Sequence, residues 1–416
     1  MPEHVCEDPC PSIPNTANGT NGCTTAFNSS GGYINMTLLY CQCQVGYAWN
    51  KVTHSCLPAL AFAVGVDRAD VLHTKALVLA WNGVQWTRQS VPPQLTSASS
   101  AYLSSVGIVD AHTALTGGRW ISNTTSTPAG VIPMGIMLQQ NNDSTWTTVP
   151  EMGAMPMPTP LVAAAPIARK AWMLGGTSPP GARMYDADAQ QWLDSLHDGW
   201  GAESMSASTD GKEVWAARPR DVMHWSATTN DSQFLGGQWT SVATHGNGQH
   251  FKSVGVADAS NVWVSAQDWA NASAEYGQFN KWDPNAGRFV KQSMEADPAN
   301  NLYHEFPSIV AVDGATAWAV GSCCTTPKTN MSIAIVYRYN DTSAEWYMEF
   351  DGGVHNNTDS PMFPLHGASA WSKDAAVAVG YGGTVVWWDG MKWTHVPGLG
   401  MLSTYDLYSV ALWAPT

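Results

Sequence analysis

Sulfur chemistry is the first thing this chain offers. Six of its eight cysteines, Cys6, Cys10, Cys23, Cys41, Cys43 and Cys56, fall within the first 56 residues, and the other two, Cys323 and Cys324, are adjacent. A segment that short cannot build an apolar core of its own. Thiols at that density are expected to be spent on disulfides, which places the chain in an oxidising compartment outside the cytosol. For Cys323 and Cys324 three fates are open: a bond to each other that closes a strained ring at a loop tip, a bridge to another chain, or two free thiols. No histidine stands at ligand spacing from them, so a metal site is not expected.

Amide chemistry comes second. Sequons for asparagine-linked sugar stand at Asn18, Asn28, Asn35, Asn123, Asn142, Asn230, Asn271, Asn330, Asn340 and Asn356, ten of the 22 asparagines. The Ser and Thr content would place about 4 by chance. Only 12% of residues are charged, against about 25% in ordinary soluble domains, so covalent glycans are expected to keep the surface wet. Net charge is −14 with no Lys/Arg run, which argues against nucleic acid or an anionic membrane as partner. No apolar stretch is long enough for a spanning helix. The N-terminus lacks the basic start and apolar core of a signal peptide. The expectation is that numbering begins after its removal, or that the chain is a fragment of a longer one.

Carboxylates and indoles are the remaining candidates. Asp67, Asp110, Asp210, Asp258 and Asp313 each follow or sit beside a short apolar run and precede an apolar or aromatic one. Set in one ring they could hold cations; aspartate in a turn more commonly bonds its own backbone. Trp120 and Trp269 could stack on sugars or pack between strands.

The elements that must position these residues repeat. Taking Leu72, Leu115, Trp172, Trp215, Trp263, Trp318 and Val377 as equivalent, the period is about fifty residues of short alternating strands, the mark of a β-propeller with one four-stranded blade per copy. Each copy ends in an aromatic, a turn and an aromatic: Tyr185 and Trp192, Trp282 and Phe289, Tyr339 and Trp346, with Asn-Gly and Asp-Gly hairpins between Trp81 and Trp86 and between Trp388 and Trp393. Such pairs are expected to wedge neighbouring blades together. Blades are expected to start near 61, 103, 161, 203, 251, 307 and 365, with 407–413 closing the ring on the first blade. Since 61–66 also reads as an opening strand, one strand is then surplus.

Three resemblances add to this. Cys41-Gln42-Cys43-Gln44-Val45-Gly46-Tyr47 followed by Cys56 resembles the second half of an EGF-like domain. Over residues 6–56 that resemblance implies the pairs Cys6–Cys23, Cys10–Cys41 and Cys43–Cys56; the two central loops are long for the family. Calcium, which some EGF modules bind, is poorly matched: Glu3 alone precedes Cys6, with Glu7 and Asp8 after it. Gly175-Gly176 with Tyr185 and Trp192 resembles a kelch repeat. Ser208-Thr209-Asp210-Gly211-Lys212-Glu213-Val214-Trp215 resembles the Asp box of sialidase-type propellers, except that Gly directly follows Asp.

The expectation is an all-β chain: an EGF-like module, 1–57, joined to a seven-bladed β-propeller, 58–416, in a secreted or cell-surface glycoprotein without a cofactor. No nucleophile elbow, zinc-protease helix or phosphate loop occurs in the sequence. The expected role is non-catalytic, a structural or adhesive unit of an extracellular filament, coat or matrix that meets other extracellular proteins or copies of itself. The rival is a glycan-binding or glycan-processing propeller, because paired carboxylates on distant loops leave no local motif.

Overall fold

The structure is a computed structural model. It describes residues 59–414 apart from 70–72, 83–84, 122–133, 141–144, 150–154, 157–159, 176–180, 196–201, 228–236, 245–248, 269–276, 296–303, 326–331, 353–361 and 397–403. Before them it describes the backbone of two short hairpins, Cys23–Thr25 with Leu39–Cys41 and Tyr47–Asn50 with Ser55–Pro58. The EGF-like module, its three bridges and Asn18, Asn28 and Asn35 lie outside the described residues, as do Asn123, Asn142, Asn230, Asn271, Asn330, Asn356 and Trp269.

From residue 60 onward the chain forms a seven-bladed β-propeller. Seven sheets follow one another, each built from four antiparallel strands, except that blades 2 and 6 gain a short fifth strand, the one in blade 6, Ser293–Met294, running parallel to its partner. The inner strands of blades 2 to 7 are Ser100–Asp110, Leu161–Ala165, Ser204–Ala207, Gln249–Asp258, His304–Ala311 and Leu365–Ser372. Blade 1 is the exception in connectivity. Its inner strand is the C-terminal Tyr405–Trp413, paired with Leu60–Asp67, which is in turn followed by Lys75–Trp81 and Trp86–Arg88. No strand is surplus: 61–66 belongs to the second strand of blade 1 rather than opening it. Ends of the chain more than 300 residues apart therefore share one sheet, which removes the open edge a linear array of blades would leave.

Aromatic pairing explains why the blades stand where they do. At the hairpin between third and outer strands, Tyr185 faces Trp192, Trp225 faces Trp239, Trp282 faces Phe289, Tyr339 faces Trp346, Trp81 faces Trp86 and Trp388 faces Trp393. In five of these six sets one ring also meets a ring of the preceding blade. Phe62 meets Trp146, Trp172 meets Trp225, Trp215 meets Trp282, Trp263 meets Tyr339, Trp318 meets Trp388 and Trp387 meets Trp81, with ring centroids 5.2–6.0 Å apart. Among the described residues Trp172, Trp263, Trp318, Trp346, Trp387, Trp388 and Tyr337 are wholly buried. Each contributes about 1.5–3 kcal/mol by leaving water. Between blades 6 and 7 the Glu349 carboxylate accepts from Trp318 Nε1 at 2.9 Å, Trp393 Nε1 at 3.1 Å and Arg338 at 3.0 Å.

Serine does for the axis what tryptophan does for the perimeter. An innermost strand has one edge with no strand to pair, and its N–H groups need acceptors. Ser409 of blade 1 accepts from Val106 N–H, Ser105 from Val162, Ser204 and Ser206 from Val254 and Val256, Ser308 from Ala368 and Ser369 from Leu412, all at 3.0–3.3 Å. Each bond runs from one inner strand to the next around the ring.

Candidate functional site

The inner strands enclose an axial cavity of about 290 Å³. It has two ends, and they are built differently. At one end, the turn face, inner strands finish in tight hairpins. Asp110, Asp210, Asp258 and Asp313 stand here, and each turns its Oδ1 back on the N–H two residues ahead, His112, Lys212, Ser260 and Ala315, at 2.8–3.2 Å. Burial acts to raise the Asp210 carboxyl, but hydrogen bonds from Ser208 and Lys212 outweigh it and hold it low. Asp67 does the same with Ala69 N–H at 2.9 Å, yet it ends a second strand and so lies on the opposite face, paired with Arg88 at 2.7 Å. The five carboxylates bond their own backbone, the commoner use of aspartate in a turn, and they cap turns on two faces rather than forming one ring. Ser208 to Trp215 is likewise a self-capped hairpin, with Ser208 Oγ donating to Asp210 and accepting from Glu213 N–H.

At the other end, the mouth face, inner strands begin, and five of them carry a β-bulge within their first residues. The register slips between Leu103 and Ser105, Phe251 and Ser253, Glu305 and Ser308, Leu365 and Gly367, and Leu407 and Ser409. A bulge turns one extra side chain out of the alternating pattern, and Ser104, Pro307, His366 and Tyr408 consequently line the cavity. Opposite four of the bulges the second strand carries glycine. A Cβ on Gly65, Gly118, Gly321 or Gly380 would stand 1.9, 2.3, 1.8 or 2.0 Å from the carbonyl oxygen of Asp406, Tyr102, Glu305 or Pro364. Only a residue without a side chain lets the bulged strand come so close.

His366 and Tyr408, turned out at two of these bulges, join an aromatic and charged arc across blades 6, 7, 1 and 2. Tyr408 is its centre, with Tyr102 at 6.1 Å, Tyr381 at 6.4 Å and His366 at 5.9 Å, all close to perpendicular. Arg68, just past the second strand of blade 1, is ion-paired with the buried Asp406 of the same blade at 2.7 Å and donates to the Tyr408 hydroxyl at 3.4 Å. The second Asp406 oxygen accepts from Gly382 N–H at 3.2 Å. Arg119, facing Tyr102 across the strand pair, lays its guanidinium 5.5 Å from that ring. Glu305 occupies the blade 6 end. Burial holds the His366 imidazole down to about 4, against partial opposition from Asp406, so it is neutral at physiological pH. Burial also pushes the Tyr381 and Tyr408 phenols up, and the Tyr408 hydrogen bond followed by the Asp406 charge pushes Arg68 up.

The remaining sequence candidates fall elsewhere. Trp120 is half-buried and packs against the core between blades 1 and 2. Cys323 is disulfide-bonded in the second strand of blade 6, beside a ladder irregularity before Thr325. Asn340 is exposed at the hairpin between third and outer strands of blade 6, its Oδ1 accepting from Thr342 N–H at 3.0 Å. The mouth cluster itself was not among the sequence candidates. The signal that points to it is Ala-Val-Gly, which recurs at 63–65, 319–321 and 378–380, always in the second strand opposite a bulge.

No protein-family model matches the chain, and no curated protein resembles it in sequence. Among solved structures it is similar to one described as "YCF48 bound to D1 peptide", at 13% identity, 76% of this chain, 85% of that chain and TM-score 0.47. It is similar also to the GH74 xyloglucanase from Xanthomonas campestris, at 13% identity, 77% of this chain and TM-score 0.46, spanning 52% of that chain. Likeness at that level carries no argument about activity. The class, a seven-bladed propeller, rests on this chain's own strand pairing.

Proposed function

We propose that this is a non-catalytic extracellular glycoprotein whose propeller is a contact module, and that the channel mouth is the surface meeting another protein or a second copy of the chain. The assembly would be of the filament, coat or matrix type. One observation carries the reading. Along the axis the serine hydroxyls are occupied by backbone N–H groups of the next blade, while at the rim His366 and Tyr408, turned out by bulges, gather with Tyr102, Tyr381, Arg68 and Asp406. Capacity for interaction is thus placed where a macromolecule can touch it. The cysteine-rich segment, read as an EGF-like module, and the sequon density support an extracellular setting, with Asn340 as an accessible attachment point.

Sedimentation of the secreted, glycosylated chain over a wide concentration range tests this. Self-association, or retention of a second extracellular protein, that weakens in Tyr408→Ala is the expected result; a chain that stays monomeric and retains nothing at high concentration rejects it. The glycan-processing rival draws on one observation, that Asp406 and Glu305 both stand near the mouth. Turnover of chromogenic glycosides that is lost in Glu305→Gln would favour it.

A further inference from the structure

The mouth arc has a charge polarity. Its aromatic centre is electrically neutral, since Arg68 and Asp406 cancel as an ion pair at 2.7 Å and burial keeps His366 uncharged. At the blade 2 end stands Arg119, which has no carboxylate partner among the described residues and is oriented by the Tyr102 ring at 5.5 Å. At the blade 6 end stands Glu305, which has no cationic partner among the described residues and whose charge reaches Tyr381. Both are half-buried, so their fields are screened less than those of freely exposed groups.

Resting on the contact reading above, we infer that the mouth recognises a polypeptide segment of mixed charge, one that presents a carboxylate to Arg119 and, several residues away, an ammonium or guanidinium to Glu305. Arg119 suits the first role, because a guanidinium placed over a ring, here 5.5 Å from the Tyr102 centroid, still has N–H donors for bidentate bonding to a carboxylate. The arrangement favours peptide over sugar. A sugar ring needs an open aromatic face, whereas Tyr102, Tyr381 and His366 meet Tyr408 at interplanar angles of 80°, 87° and 81°, and spend their faces and edges on each other. A segment bearing both signs also fits a chain whose net charge of −14 would repel a uniformly acidic partner.

Fluorescence anisotropy on the full glycosylated chain tests this with labelled octapeptides: one with two Glu at one end and two Lys at the other, one all-Glu, one all-Lys, and an oligogalacturonate as the sugar arm. The mixed peptide is expected to bind about tenfold more tightly than either single-sign peptide, as one extra charge-assisted bond allows. Arg119→Gln should lower mixed-peptide affinity to that of all-Lys, and Glu305→Gln should lower it to that of all-Glu, with thermal melts confirming that both variants fold. Equal binding of all three peptides, or a mixed-peptide affinity unmoved by either substitution, overturns the inference; so does tighter binding of the oligogalacturonate. Should peptides fail while wild-type chain still self-associates through Tyr408, the polarity reading falls and the contact reading stands. Should neither occur, the contact reading falls with it.

Discussion

On the turn face, strands hand over through hairpins whose aspartate and asparagine oxygens take the N–H groups two residues ahead, at Asp110, Asp186, Asp258, Asp283, Asp313, Asn340 and Asp389. On the mouth face, the same strands begin with bulges and place Arg68, Arg119, Tyr102, Tyr381, His366 and Tyr408 within reach of one another from three blades. The first surface satisfies its polar groups within a few residues of chain. The second satisfies them between strands far apart in sequence, as Arg68 does with Asp406 and Tyr408, and leaves Arg119 and Glu305 without opposite charges among the described residues. A repeat unit can thus close one end of a ring with local chemistry and keep the other end for recognition.

The largest test breaks both faces at once. Deleting 405–416 removes the inner strand of blade 1, Asp406 and Tyr408 of the mouth, and the serine bond to Val106; we expect no cooperative thermal transition, and a melt like that of wild type would show closure to be dispensable. On the turn face, Gly211 has φ of +68° and its Cβ would stand 2.7 Å from Ala168 Cβ. Gly211→Ala should cost about 2–3 kcal/mol in urea denaturation.

On the mouth face, acid should act through His366, whose value falls from 6.5 to about 4 on folding. The unfolded chain takes up this proton near pH 6.5 and the folded chain does not. The contribution is therefore complete above pH 6.5 and is lost progressively as pH falls toward 4. Between pH 7 and pH 5 it should amount to about 2 kcal/mol, and His366→Phe should flatten that part of the stability profile. Burial also depresses His250 and His395, so a shallower slope is expected to persist.

Smaller effects complete the series. Asp258→Ala removes acceptors for Ser260 N–H and Asn261 Nδ2 and should cost about 1 kcal/mol by chemical denaturation, with no change in binding at the mouth. Arg169 pairs with Asp110 at 3.0 Å and Asp188 at 2.8 Å on an exposed turn. Arg169→Ala should shift the urea midpoint by the equivalent of about 0.5 kcal/mol or less, and the shift should vanish in high salt.

The propeller and its perimeter were legible in the sequence because the physics there is local. An aromatic on each side of a short turn meets its partner across one hairpin, so Tyr185 with Trp192 or Trp388 with Trp393 could be paired by spacing alone. The turn aspartates were legible for the same reason, although Asp67 lies on the opposite face from the other four. Its phrase, Val64-Gly65-Val66-Asp67, resembles the inner-strand phrase ending at Asp110, since inner and second strands are both buried on two sides and draw on the same residues. Nothing within a few dozen residues of Leu60 shows that the strand inside it comes from Tyr405.

The mouth was not legible in that way. A bulge is a property of two strands in register rather than of either one, and Tyr408, His366 and Ser104 become neighbours only when the ring has closed. The sequence alone determined that blades would form, how many, and which rings would lie between them, because hydrophobic alternation and hairpin turns act over a few residues. Only the tertiary structure decided which strand begins the first blade and which side chains meet at the axis, because those depend on contacts between positions as far apart as Arg68 and Tyr408.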